Sequence, residues 1–209
     1  RRQRQMCIRD RYTMSNRSIH TLLKNWDEEC PLTREEAVEV LNLPEEEMDS
    51  LMECAYALRT KYKGKKVSVQ LLTNVRSGNC TQNCAYCAQS KDSQAEIEKY
   101  KRVSDEKLYG DNDLVDEKHL ARHCIGLSGI GFSDEEIEDL ADRIREMKKK
   151  DTQICCSIGF LTEKQARILK DAGLDRINHN LNSSRSFYPE ICTTHTYDQR
   201  VNNIKMLQS

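Results

Sequence analysis

From residue 120 onward one pattern recurs three times: a short β-branched or cysteine-bearing run, a polar loop, then Ser or Thr followed three residues later by Glu or Gln. "HCIGLSG" precedes Ser133 with Glu136, "QICCSIGF" precedes Thr162 with Gln165, and "LDRINHNLN" precedes Thr196 with Gln199. A hydroxyl residue paired with Glu or Gln three positions on is a helix-starting capping box. Strands alternating with helices at this spacing indicate parallel βα units. Behind Ser133, Ile137, Leu140, Ala141, Ile144 and Met147 share one helical face. The second helix should close near Gly173, and the third should run to the last residue through Val201, Ile204 and Leu207. Upstream, "KKVSVQLLTNV" is rich in β-formers and supplies a first strand. The helix that should follow lies in "KLYGDNDLVDEKHLAR", where Gly110, Asp111, Asn112 and Asp113 are poor helix formers, so an irregular start is expected.

Ahead of these units lies a helical region. Helices are expected around Ser18 to Asp27, from Thr33 to Leu41 with Thr33 and Glu36 as a capping box, and from Glu45 to Tyr62, with Gly64 ending the region. In the last helix Met48, Leu51, Met52, Ala55 and Leu58 recur at helical spacing and read as core. The opening "RRQRQMCIRDRYT" has no periodicity and resembles translated adapter read-through; Met14 opens a plausible start, and no role is expected for Cys7. The expected organisation is a tail over 1–17, a helical segment over 18–64, and βα units over 65–209. The fold class is therefore α/β, a partial TIM-type (βα) barrel of four units behind an N-terminal helical segment. An eight-unit barrel needs about 250 residues, so the chain reads as truncated at its C-terminus.

Charge narrows the partners. Charged residues make up 32% but leave a formal net charge of -1, which argues against a nucleic-acid or anionic-membrane footprint. No apolar run approaches the roughly 20 residues of a membrane span, and no signal segment is evident. A cytoplasmic location follows as the expectation. In that setting ten cysteines read as thiols kept for metal or redox chemistry.

Three of them, Cys80, Cys84 and Cys87, sit in "SGNCTQNCAYCAQS" directly after the first strand, among Ser, Gly, Asn, Thr and Gln. Burial as small apolar residues does not suit that setting. A structural zinc site wants four ligands in paired spacings, and an ordinary ferredoxin cluster wants four thiolates. Three thiolates on a cubane leave one iron open. The C-x3-C-x2-C spacing, with Tyr86 before the last cysteine, resembles the radical S-adenosylmethionine (SAM) enzymes, whose 4Fe-4S cluster binds SAM at that open iron.

Strand alternation sorts the remaining candidates. Asn178, Asn180 and Asn182 share one face of their strand and suit a polar barrel interior; His179 falls on the other face and reads as structural. Cys156 travels with Ile158 and Phe160, the packing set. Cys124 and Cys155 fall on inward faces of adjacent strands, about 4.8 Å apart. Spacing alone leaves two core cysteines and two cluster ligands equally open.

From about Lys65 to Ser209 the chain resembles the biotin synthase family, on "CTQNCAYCAQS", "RHCIGLSG", "ICCSIGFLTEKQARILKDAGLDRINHNLNSS" and "ICTTHTYDQR" in order. The resemblance implies sulfur insertion into dethiobiotin. It assigns Cys80, Cys84 and Cys87 to the 4Fe-4S cluster and Cys124 and Cys155 to a second iron-sulfur cluster of 2Fe-2S type. Tyr86, Asn180, Asn182 and Arg200 would contact SAM or dethiobiotin. At Asn182 part of the family carries an aspartate, so this chain lacks that charge. The implied partners are dethiobiotin and a low-potential electron donor such as flavodoxin or ferredoxin, with a homodimer as the assembly; nucleic acid and membrane are not expected. Two alternatives remain: a radical SAM enzyme of the methylornithine synthase or hydrogenase maturase kind, without sulfur insertion, and a noncatalytic zinc-binding module.

Overall fold

A computed structural model of the protein describes residues 32–209. The described residues fall into two units, one ending at Val67 and one spanning Ser68–Ser209. The helix expected around Ser18 to Asp27, the tail and Cys7 lie outside the described residues.

In the first unit α1 covers Arg34–Leu41 behind the expected capping box: Glu36 N donates to Thr33 Oγ1 (3.2 Å) and Thr33 N to Glu36 Oε2 (2.7 Å). The expected third helix is split into a 3-10 turn, Glu45–Glu47, and α2, Met48–Lys63. Gly64 ends α2 at φ 63°, a left-handed conformation that glycine adopts without strain. The core reading of α2 fails. Met48, Met52 and Ala55 are exposed and Leu51 and Leu58 only half-buried. Helical periodicity marks a face but does not supply a partner to cover it.

The second unit is a four-stranded sheet of parallel strands in the order β1 (Gln70–Arg76), β2 (Arg122–Leu127), β3 (Ile154–Ser157) and β4 (Arg176–Asn178). Helices α3 (Asp105–Glu117), α4 (Asp134–Met147) and α5 (Glu163–Asp171) follow the first three strands. Short α6 (Tyr188–Ile191) and α7 (Tyr197–Gln208) follow the fourth. This α/β order is the one the sequence pattern predicts, and the boxes at Ser133, Thr162 and Thr196 all form. The core joins Val75, Ile125, Ile154 and Cys156 from the strands to Leu108, Ile137, Leu140, Ala141, Ile144, Met147 and Leu169 from the helices. Cys156, fully buried there, is a packing residue.

A second expectation is corrected here. α3 is a regular 13-residue helix capped by Ser104, not irregular at its start. Tertiary bonds outweigh propensity. Asp111 accepts from Thr73 Oγ1 and from Lys107 Nζ, each at 2.6 Å, and Asn112 donates to Met147 O and sits 3.2 Å from His123 Nδ1. His123 Nε2 closes the network 2.8 Å from Thr73 Oγ1.

On the sheet face opposite this core, register lines up two rows: Leu72, Cys124, Cys155, Arg176, and Asn74, Gly126, Ser157, Asn178. A Cβ on Gly126 would stand 3.1 Å from Asn74 Oδ1, so glycine lets the amide lie across β2.

Candidate active site

The cysteine loop leaves the C-terminal end of β1. Gly78 and Asn79, at φ 67° and 52°, turn the chain, and Ser77 and Tyr100 exchange backbone bonds at 3.0 Å across the loop base. Gly78 N donates to Gln89 Oε1 and Lys91 N to Gln82 O, closing the loop on itself. Its outer side is pinned to the segment between α6 and α7. Ala85 N donates to Ile191 O (2.9 Å), and Asn83 Oδ1 accepts from the backbone of Thr193 and Thr194 (3.0 and 3.3 Å).

Cys80, Cys84 and Cys87 are all free thiols; Cys84 is buried and the other two half-buried. A cleft of about 430 Å³ opens beside Cys80, lined in part by Gly78, Thr81, Gln89 and Ser90. The loop offers three sulfurs and no fourth, a donor set that fits a 4Fe-4S cluster with one open iron.

The structure also brings in residues that sequence reasoning missed. Cys84 Sγ lies 3.8 Å from Cys192 Sγ, and His195 Nδ1 lies 3.2 Å from Cys192 Sγ. Burial and Cys192 push the Cys84 thiol up to about 11. Burial acts against Cys192 as well, but hydrogen bonds from Thr194, the His195 backbone and Cys84 outweigh it and hold that thiol below its ordinary value. The signal was present in "ICTTHTYDQR", where a cysteine and a histidine stand three residues apart beside a helix cap.

Arg200 Nε donates to Tyr188 Oη (2.8 Å) and His195 Nε2 (3.1 Å), and the guanidinium stacks over Phe160 at 5.6 Å. Asn182, at φ 65°, donates to Tyr86 Oη and so ties the loop after β4 to the cysteine loop. Burial, then Cys84, raises the Tyr86 phenol to about 12. Asn182 and Arg200 thus lie close to the cysteine loop that carries Tyr86, while Asn180 lies exposed just past β4. His179 is half-buried with its ring 5.5 Å from that of Phe160, and burial holds it below its usual value.

Cys124 and Cys155 pair in register across β2 and β3. Cys124 Sγ donates to Gln70 Oε1 at 3.1 Å, and burial, then Cys124, pushes the Cys155 thiol up to about 11. Arg122 and Arg176 oppose that rise, so cations stand by to favour thiolates.

The sequence pattern of the radical SAM superfamily matches residues 74–209. The chain belongs to that superfamily. Membership implies a 4Fe-4S cluster and SAM, and the loop thiols are the residues that fit the cluster. The chain is 39% identical over 178 residues to the biotin synthase of Geobacillus kaustophilus, a match covering 85% of this chain and 54% of that protein. It is 40% identical over 176 residues to the biotin synthase of Bacillus subtilis, covering 84% and 52%. The chain spans about half the length of the curated relatives it matches. Among solved structures, a methylornithine synthase superposes with a TM-score of 0.76 at 16% identity, covering 90% of this chain and 54% of that one, a likeness of fold alone. Among the described residues no helix is long and apolar enough to cross a membrane.

Proposed function

We propose that this chain belongs to a sulfur-inserting radical SAM enzyme that converts dethiobiotin to biotin. The observation that carries the reading is the second pair of thiols. Cys124 and Cys155 stand in register on the polar sheet face, apart from the cysteine loop, in a chain about 40% identical to biotin synthases. Superfamily membership alone calls for no such pair.

In this reading Cys80, Cys84 and Cys87 hold the 4Fe-4S cluster, and Cys124 and Cys155 hold part of a second, 2Fe-2S cluster. The first cluster, held by Cys80, Cys84 and Cys87, would supply one-electron reduction of SAM and so radical chemistry at an unactivated carbon. The chain's own residues position the reactants. Tyr86 and Asn182, bonded to each other, hold two loops at one spacing; Asn180 and Arg200 add polar contacts to SAM or dethiobiotin. Such positioning matters because a radical must lie close to the C-H bond it attacks and away from water. The reading also takes a low-potential flavodoxin or ferredoxin as electron donor, a cytoplasmic homodimer as the working form, and a division at 1–17, 18–64 and 65–209.

The test is iron and sulfide content with low-temperature spectroscopy on the anaerobically reconstituted full-length protein, wild type against Cys124→Ala/Cys155→Ala. Two clusters in the wild type and one in the variant is the expected result. A single cluster in both would end the sulfur-insertion reading and leave the radical chemistry standing; a colourless protein whose zinc is held by Cys80, Cys84 and Cys87 would end both.

A further inference from the structure

We infer that, in the cluster-free protein, Cys84, Cys192 and His195 form a site for one thiophilic divalent ion, zinc or ferrous iron, that competes with cluster assembly. The ion site uses Cys84, a ligand the superfamily assigns to the cluster, together with two residues outside the three-cysteine signature.

The geometry is that of one metal ion. Tetrahedral coordination at about 2.3 Å per sulfur puts two thiolates about 3.8 Å apart, and a sulfur and an imidazole nitrogen about 3.6 Å apart. Here Cys84 Sγ and Cys192 Sγ are 3.8 Å apart, Cys192 Sγ and His195 Nδ1 are 3.2 Å apart, and all three ligand atoms lie within 4.8 Å of one another. All three residues are buried, with Cys84 9%, Cys192 4% and His195 5% exposed. In a four-iron cluster each thiolate caps a different iron and stands much farther from its fellows than a tetrahedral edge. Cys84 therefore cannot keep its present contact with Cys192 if Cys192 were to cap a second iron; the pair as it stands suits a mononuclear ion.

The surroundings supply the remaining parts. Cys192 Sγ already collects Thr194 Oγ1 at 3.4 Å and the His195 ring, a polar nest that favours its thiolate. The nitrogen bookkeeping is specific. Arg200 Nε can only donate, so its bond to His195 Nε2 leaves the proton of the neutral imidazole on Nδ1, where Gln82 Oε1 accepts it at 3.0 Å. An ion at Nδ1 displaces that proton to Nε2. Arg200 then keeps its bond to Tyr188 Oη and loses the one to His195. Entry of the ion thus also releases one of the two bonds that hold Arg200.

The test uses the full chain, prepared anaerobically without cluster, titrated with Co²⁺ and followed by its thiolate and tetrahedral absorption bands, with Zn²⁺ competition for affinity. The wild type and Cys80→Ala/Cys87→Ala should each bind one ion with that spectrum. Cys192→Ala should bind at least about tenfold more weakly, having lost one of three ligands. Equal affinity for Cys192→Ala, or loss of binding in the Cys80/Cys87 variant, would overturn the proposal by assigning the ion to the loop cysteines. X-ray absorption on the wild-type zinc protein decides the matter without any variant: two sulfurs and one imidazole support the site, and three sulfurs refute it. Iron-sulfur reconstitution of the wild type is scored separately. Failure of the metal-free protein to build a cluster would sink the radical reading while leaving the ion result untouched, and equal assembly with and without bound zinc would refute the competition.

Discussion

Cys124 on β2 and Cys155 on β3 are register partners, yet their environments differ: Cys155 is 1% exposed, while Cys124 is half-buried and bonded to Gln70 at the rim of the sheet. Reactivity should follow access and thiolate character. In the cluster-free protein, iodoacetamide should label Cys124 at least about tenfold faster than Cys155. Peptide mass spectrometry reads the ratio. Equal labelling would mean the two strands do not hold this register in solution.

Tyr86 and Asn182 share one hydrogen bond between loops nearly a hundred residues apart in sequence. Tyr86→Phe and Asn182→Ala should each weaken SAM binding by about three- to tenfold, the worth of one ordinary hydrogen bond. The double variant should be scarcely worse than either single one, because both remove the same contact. Calorimetric titration of the reconstituted protein checks this. Losses that multiply would show the two residues acting on SAM separately.

Much of this architecture was legible because local signals and burial agree. The boxes at Ser133, Thr162 and Thr196 name helix starts from four residues each, and the buried face of α4 is visible as a 3.6-residue period. The loop cysteines were legible for the same reason, their spacing being local. Two features were not. α3 contains Gly110, Asp111, Asn112 and Asp113, and only partners as remote as Thr73 and Met147 make it regular. The approach of Cys192 to Cys84 joins positions over a hundred apart, which no spacing rule can see. The exposed face of α2 marks the converse: periodicity read as burial where burial did not follow.

Asp111 anchors the α3 network, so its loss should be felt well beyond one bond. Asp111→Ala removes the acceptor for Thr73 Oγ1 and the partner of Lys107 Nζ. The expected cost is about 2–3 kcal/mol in chemical denaturation, since Thr73 Oγ1 stays buried without its acceptor. Asp111→Asn, which retains an accepting oxygen for Thr73, should cost clearly less. Equal stability of the Ala variant and the wild type would show that packing alone orders α3.

Stability should fall on acidification. Burial holds His123 down to about 4 from an ordinary 6.5, with Asp111 opposing the shift and Lys107 adding to it. The unfolded chain therefore binds the proton more readily between those values. Stability from the neutral ring is fully present above about pH 6.5 and is lost as the pH falls toward 4, on the order of 3 kcal/mol. Asp111 acts in the same direction at lower pH, its carboxyl being held below its ordinary value by Lys107 and Thr73 against burial. Denaturant midpoints at several pH values, with His123→Gln as comparison, provide the measurement. A variant that loses as much stability as the wild type between pH 7 and 4.5 would acquit His123.

Gly159 is required by a close approach of two backbones rather than by its dihedral angles. A Cβ there would stand 2.3 Å from Ile130 O, the same carbonyl that accepts from Phe160 N at 2.6 Å. That bond joins the segments leaving β2 and β3, and it holds Phe160 where Arg200 stacks upon it. Backbone cannot yield as a flexible side chain can, so Gly159→Ala should destabilise by about 1–3 kcal/mol or more. Gly131→Ala, with nothing within 4 Å of its Cβ, is the matched control and should stay within about 0.5 kcal/mol of wild type. Because the displaced Phe160 carries Arg200 with it, Gly159→Ala should also weaken SAM binding in the protein that remains folded. Unfolding midpoints and SAM affinity measured on both variants separate the two effects. A Gly159→Ala protein as stable as the control would mean the two segments stand farther apart than described.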